Sequence, residues 1–208
     1  SLGIILDLCR NGWVTANTAQ SNSQGLELSN CTGIVMTDNL AKSNTLEAIV
    51  IYGGSAHLIA RNIIRYNLAT GMSINAGSNN MILQNTFDSN TAYQIVIDQG
   101  SVSDTFLKNI IRTSSTNPDS AVKNSATPTS TKFSFARNYW GTTDVVAIRK
   151  RLTWTPGAAD SITFIPYRLD VVDTAAGGDT TAPLPPVNVT LDTTTAGVIK
   201  VTWTIPTV

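Results

Sequence analysis

Charge is scarce in this chain. Asp, Glu, Lys and Arg make up 13% of the 208 residues, and 14 basic side chains balance 14 acidic ones. Neutrality at that density predicts neither a broad basic face for nucleic acid nor an acidic tail. Aromatics are few at 7%, and a single His57 stands beside three Met and two Cys. So few soft and imidazole donors argue against a metal cluster built from them. No apolar run reaches the ~18 residues of a membrane span, and no basic-then-apolar leader opens the chain. Gly-rich phosphate loops and nucleophile elbows are missing as well. Asn, Ser, Thr and Gly fill the polar positions instead, which suits an extracellular, hydrogen-bonding surface.

What is abundant is repetition. A nine-residue pattern (apolar, two variable, Asn, one variable, apolar, two variable, then Asn or a hydroxyl residue) occurs six times. Its copies begin at Val14, Met36, Ile59, Ile82, Phe106 and Phe135, and their first Asn residues are spaced 22, 23, 23, 24 and 29 apart. Such a period marks a solenoid whose repeats bury their apolar faces against their neighbours. A second short run follows most copies, as in Leu26–Leu28, Ile49–Ile51, Met72–Ile74 and Ile95–Ile97. These runs alternate with period two and are rich in β-branched residues, so they predict strands of three to five residues. The expected fold is all-β: a right-handed parallel β-helix of about six coils.

The Asn columns carry a physical expectation. Asn tolerates left-handed backbone and can bond backbone groups at a bend. Stacked amides also bond one another along an axis, as in cross-β ladders. One column is Asn17, Asn39, Asn62, Asn85 and Asn109; the other is Asn22, Asn44, Asn67 and Asn90. Expected inward residues are Ile59, Ile64, Ile82, Phe87, Phe106, Ile111 and Phe135, with Ile49, Ile51, Ile74, Ile95 and Ile97.

With these six copies, residues 1–141 resemble the right-handed parallel β-helix proteins of the pectin-lyase-like superfamily. That family includes lyases, hydrolases, epimerases, tailspikes, adhesins, surface-layer proteins and a periplasmic copper-insertion accessory protein. The resemblance implies the fold more sharply than an activity. One His and three Met argue against the copper-handling branch.

Charges mapped onto the coil register pair across neighbouring coils: Asp38 against Arg61, and Asp88 between Arg65 and Arg112. Within those columns no two acidic residues are adjacent, as a glycosidase or lyase pair would require. Asp98 and Asp104 flank a turn and are candidate calcium ligands, calcium being the one cofactor considered. Cys9 and Cys31 occupy equivalent positions on adjacent coils, about 4.8 Å apart, and are either a disulfide or two buried thiols. Trp140, Trp154 and Tyr167 are a candidate sugar platform.

The far end reads differently. Thr143 or Asp144 can N-cap a helix over Val145–Leu152 that would close the solenoid. The segment from Asn138 through Ile165-Pro166-Tyr167 resembles the closing segment of many surface β-helix proteins. Domain boundaries are expected at 1–171 for the capped β-helix and 172–186 for a Pro/Gly-rich linker. Residues 187–208 resemble the first strands of a fibronectin type III domain, an incomplete β-sandwich. The reading is a non-catalytic structural or recognition module of a secreted or cell-surface protein. It would present a rigid surface to polysaccharide or to other surface proteins. Homo-oligomers by end-to-end or strand-donation contacts are expected, because the first coil has no lid of its own. The alternative is a fragment of a polysaccharide lyase, hydrolase or epimerase acting on acidic polysaccharides.

Overall fold

The computed structural model describes residues 1–127, 131–154, 161–169, 187–192 and 200–204. Each coil is three short strands separated by bends. The first coil is β1 (Ile4–Asp7), β2 (Trp13–Thr15) and β3 (Thr18–Gln20); the second is β4 (Leu26–Ser29), β5 (Val35–Thr37) and β6 (Leu40–Lys42). The third is β7 (Ile49–Tyr52), β8 (Leu58–Ala60) and β9 (Ile63–Arg65), and the fourth β10 (Met72–Asn75), β11 (Met81–Leu83) and β12 (Thr86–Asp88). The fifth is β13 (Ile95–Asp98), β14 (Thr105–Leu107) and β15 (Ile110–Arg112). A sixth turn holds β16 (Val122–Ser125) and β17 (Phe133–Ser134), and its third side is a bridge of Tyr139 to Ile110.

Strands at the same place in successive coils pair in parallel, giving sheets of seven, seven and five strands. The register is strict: Ile4, Leu26, Ile49, Met72, Ile95 and Val122 form one column of the first sheet. This is a parallel β-solenoid of the right-handed β-helix class. Every inward residue expected from the repeats is buried. The inward column of the third sheet gains bulk from Ala19 and Ala41 to Ile64 and Phe87 before returning to Ile111. Phe106 and Phe135 stack with centroids 4.1 Å apart.

The C-terminal cap departs from the expected helix. α1 is Val145–Lys150 only, capped by Asp144, whose carboxylate accepts from the Val146 N–H at 2.8 Å. Of its apolar residues Ile148 is buried, while Val146 is exposed. The chain then re-enters the solenoid through β18 (Leu152–Trp154), which pairs with β16, and β19 (Ile162–Thr163), which pairs with β17. Leu-Thr-Trp favours strand over helix, so the lid is part helix and part further coil.

The chain divides into two compact units, Ser1–Ala176 and Gly177–Val208. The linker expected at 172–186 lies outside the described residues. In the second unit β20 (Val187–Asp192) pairs antiparallel with β21 (Lys200–Thr204). One hairpin does not distinguish a fibronectin type III domain from other β folds.

Candidate functional site

At the corner between the second and third sheets, Asn17, Asn39, Asn62, Asn85, Asn109 and Asn138 stack. From Asn39 on, each Oδ1 accepts from the backbone N–H and the Nδ2 of the Asn one coil earlier, at 2.7 to 3.1 Å. The other Nδ2 proton goes to an interior carbonyl, as from Asn62 to Met36 at 2.9 Å and from Asn85 to Ile59 at 2.8 Å. Asn22, Asn44, Asn67 and Asn90 form the second ladder, which Gln94 ends by accepting from the Asn90 amide at 2.7 Å.

The left-handed residue at these bends is not the Asn. It is the residue before it: Ala16, Asp38, Arg61, Gln84, Lys108 and Arg137 at one corner, Ser21, Ser43, Tyr66 and Ser89 at the other. A side chain there points outward, whereas the ladder needs the Asn turned in. The left-handed conformation costs about 1–2 kcal/mol in a residue with a Cβ. Roughly 1 kcal/mol from each of the three side-chain hydrogen bonds of an interior rung offsets it.

A third polar column escaped the sequence reading. Ile34, His57, Asn80 and Asp104 stack at the corner before the second sheet. His57 Nδ1 accepts from the Ile34 N–H at 3.1 Å, and the His57 N–H donates to Asn80 Oδ1 at 3.0 Å. The Asn80 N–H and Nδ2 both donate to Asp104 Oδ1, at 2.8 and 2.9 Å. The imidazole thus does an amide's work, and its burial holds its pKa below the ordinary His value. Burial likewise raises the Asp104 carboxyl to about 6. His57 Nε2 and Asp104 Oδ2 are buried with no hydrogen-bond partner among the described residues. Spacings of 23, 23 and 24 were the available signal, hidden because the residue type changes at each rung.

The other sequence candidates fall as follows. Asp98 sits half-buried at an outward position of β13, with Oδ1 accepting from the Gln99 N–H, whereas Asp104 faces inward and serves Asn80. Asp98 ends β13 on its outward side, whereas Asp104 lies beyond the following turn with its carboxylate turned in to Asn80. Cys9 and Cys31 stack, with the Cys9 N–H donating to Cys31 Sγ at 3.3 Å, but both are free thiols. The Cys31 thiol instead donates to the Leu6 and Ser29 carbonyls, and burial raises its pKa. Trp140 is not part of a sugar platform: it is fully buried against Phe135 and Phe164. Trp154 and Tyr167 are half-buried, packed on the core, with the Tyr167 hydroxyl donating to the Thr143 carbonyl at 3.0 Å.

Outside, charges line up in columns. Gln20, Lys42, Arg65, Asp88 and Arg112 are in register along the third sheet. Arg61 grips Asp38 through Nε and Nη2, at 2.9 and 2.7 Å, and holds that carboxyl below its ordinary pKa. Asp88 meets Arg112 at 3.7 Å rather than Arg65, whose guanidinium lies over the Tyr66 ring at 5.5 Å.

A family described as periplasmic copper-binding protein (NosD) matches residues 1–146. The chain belongs to that family. This corrects the argument from ligand counts, which pointed away from the copper-handling branch. Among solved structures, a double mutant of the periplasmic alginate epimerase AlgG is 14% identical with a TM-score of 0.50, over 80% of this chain and 47% of that one. The parent AlgG is 18% identical, with a TM-score of 0.49, over 82% of this chain and 36% of that one. These identities speak to fold alone, and the chain spans less than half the length of those structures. No curated protein matches it in sequence.

The family's description invites a test of the donors. Among the described residues no three His, Cys, Asp or Glu side chains group as a metal site. His57 and Cys31 are enclosed, and Met36 and Met72 are core residues with no exposed surface. Of the other soft donors Met81 is exposed and Cys9 half-buried on a different coil, so the described residues do not gather a donor set that fits a resident copper ion.

Proposed function

We propose that this chain is a non-catalytic recognition module located in the periplasm or outside the cell, presenting a rigid β-helix wall to polysaccharide or to another surface protein. One observation supports it above the others: the polar groups of the corners are spent on buried ladders, so the chemistry left for a partner lies on the outward columns. Those columns carry paired or isolated charges rather than two facing carboxylates, which is how a binding wall differs from a glycoside-cleaving cleft. The periplasmic setting comes from the family's description. The first coil leaves β1, β2 and β3 at the ends of their sheets with Leu8 and Trp13 exposed.

A panel of neutral and acidic polysaccharides tests this reading, with and without Ca²⁺, scoring both retention and turnover. Retention of at least one polymer without chain cleavage, elimination or epimerisation is expected. Turnover abolished by Asp98→Ala would overturn it in favour of the enzyme alternative.

A further inference from the structure

The two thiols share one column of the coil register. Asp7 pairs with Ser29 and Arg10 with Thr32, so Cys9 faces Cys31 one coil on. Further along, the same column is Gly54, Gly77 and Ser101. A Cβ at Gly54 would run into the Cys31 carbonyl, so the stack of side chains ends with the pair. Cys31 is fully buried, and half-buried Cys9 packs against the core that holds it. The Cys9 N–H reaches Cys31 Sγ at 3.3 Å. Paired positions on neighbouring strands stand about 4.8 Å apart, within the Cα range that a disulfide spans.

Hydrogen bonding does not account for sulfur here. The Cys31 thiol donates to the Leu6 and Ser29 carbonyls at 3.3 and 3.4 Å. Three coils on, the Ser101 hydroxyl donates to Ile74 and Asp98, carbonyls of the same two columns, at 3.2 and 2.6 Å. A hydroxyl thus meets that need with a stronger donor than S–H. Two hydroxyls cannot join covalently, and two stacked thiols can.

We propose that Cys9 and Cys31 are a cross-linking site, closed to a disulfide that staples the first coil to the second in an oxidising compartment. The inference rests on the location in the recognition reading, not on its partner, because such compartments preserve disulfides. Among the described residues β1, β2 and β3 are paired on one side only, so the first coil is where a staple holds most.

The oxidant is the disulfide form of an exported dithiol–disulfide oxidoreductase. Cys9, the more accessible sulfur, attacks as thiolate, and one sulfur of the oxidant leaves. Cys31 Sγ then attacks the Cys9 sulfur of the mixed disulfide, and the second oxidant sulfur leaves. Two S–H bonds break and one S–S bond forms; the oxidant takes the two electrons and both protons as its dithiol. The S–H bonds to carbonyls given up on closure, including Cys9 to Asp7 at 3.4 Å, are weak.

The full chain, purified and reduced, is incubated with oxidised glutathione, blocked with N-ethylmaleimide and measured by intact mass. Loss of two hydrogens is expected, with no alkylated thiol and no retained glutathione. Amides of β1 should then exchange about 100-fold more slowly than in the reduced protein. Cys31→Ser keeps a donor in the manner of Ser101, so β1 should exchange as in reduced wild type, with or without glutathione. Should that variant fail to fold, Cys9→Ala at the half-buried position gives the same comparison. Two alkylated thiols, glutathione held on Cys9, a disulfide-linked dimer, or unchanged β1 exchange after closure overturns the proposal. Trapping with the same reagent in the protein's own cells, followed by fractionation, reads the location separately. An exported chain with both thiols free overturns the staple and leaves the recognition reading intact; a chain held in the cytosol overturns both.

Discussion

Each Asn in the ladders holds several backbone groups at once, so its replacement has a definite cost. Asn62→Leu strands the Asn39 N–H and amide and the Met36 carbonyl, all buried. At about 1–3 kcal/mol per buried group left unpaired, a loss of several kcal/mol is expected in chemical denaturation. A wild-type midpoint would show that the ladder is not structural. Asp104 makes the opposite prediction. Its folded pKa of about 6 lies above the unfolded 3.8, so between those values the folded state holds the extra proton. Stability from this group therefore rises as pH falls from 7 toward 4. His57, depressed by burial, works the other way: below its unfolded pKa of 6.5 the unfolded state binds the extra proton and stability is lost. Asp104→Asn keeps an oxygen for Asn80 and removes the buried charge. It should raise stability at pH 8 by up to about 3 kcal/mol, with the gain shrinking toward pH 4. A pH-independent difference between the two proteins would refute the titration argument.

At the scale of elements, strands of three or four residues hold together because each interior one is paired on both sides and buries its inward side chains. Phe87 in β12 fills the interior between Ile64 and Ile111. Phe87→Ala should cost about 3–5 kcal/mol, read as a lowered denaturation midpoint. α1 contributes far less, being six residues with one buried side chain. Removing its cap with Asp144→Ala should cost about 1 kcal/mol, and a larger effect would mean that the helix braces the solenoid end. The strands were legible from the repeat because inward positions recur every second residue. The helix end was not, because the pattern Val145, Ile148, Leu152 is equally served by a short helix followed by a strand.

For the whole molecule, coupling runs between neighbouring coils, so protection should not be uniform. Amide exchange should be slowest in β7 to β12, where both neighbours are present, and faster in β1, whose outward Ile5 is exposed. Equal exchange throughout would indicate a single cooperative unit. The same stacking turns scattered charges into columns. Lys42 and Arg65 are 23 residues apart in the chain yet in register side by side on the third sheet.

The repeat alone determined the solenoid, the inward residues and the Asn columns, because these depend on short-range alternation and on one period. Only the tertiary structure decided which residue takes the left-handed bend, and that His57 and Asp104 belong to a third ladder. It also buried Trp140 and parted Asp98 from Asp104. Within the charged columns, which the period already lines up, the fold alone decided that Asp88 meets Arg112 while Arg65 lies over Tyr66, because side-chain reach and not register picks the partner.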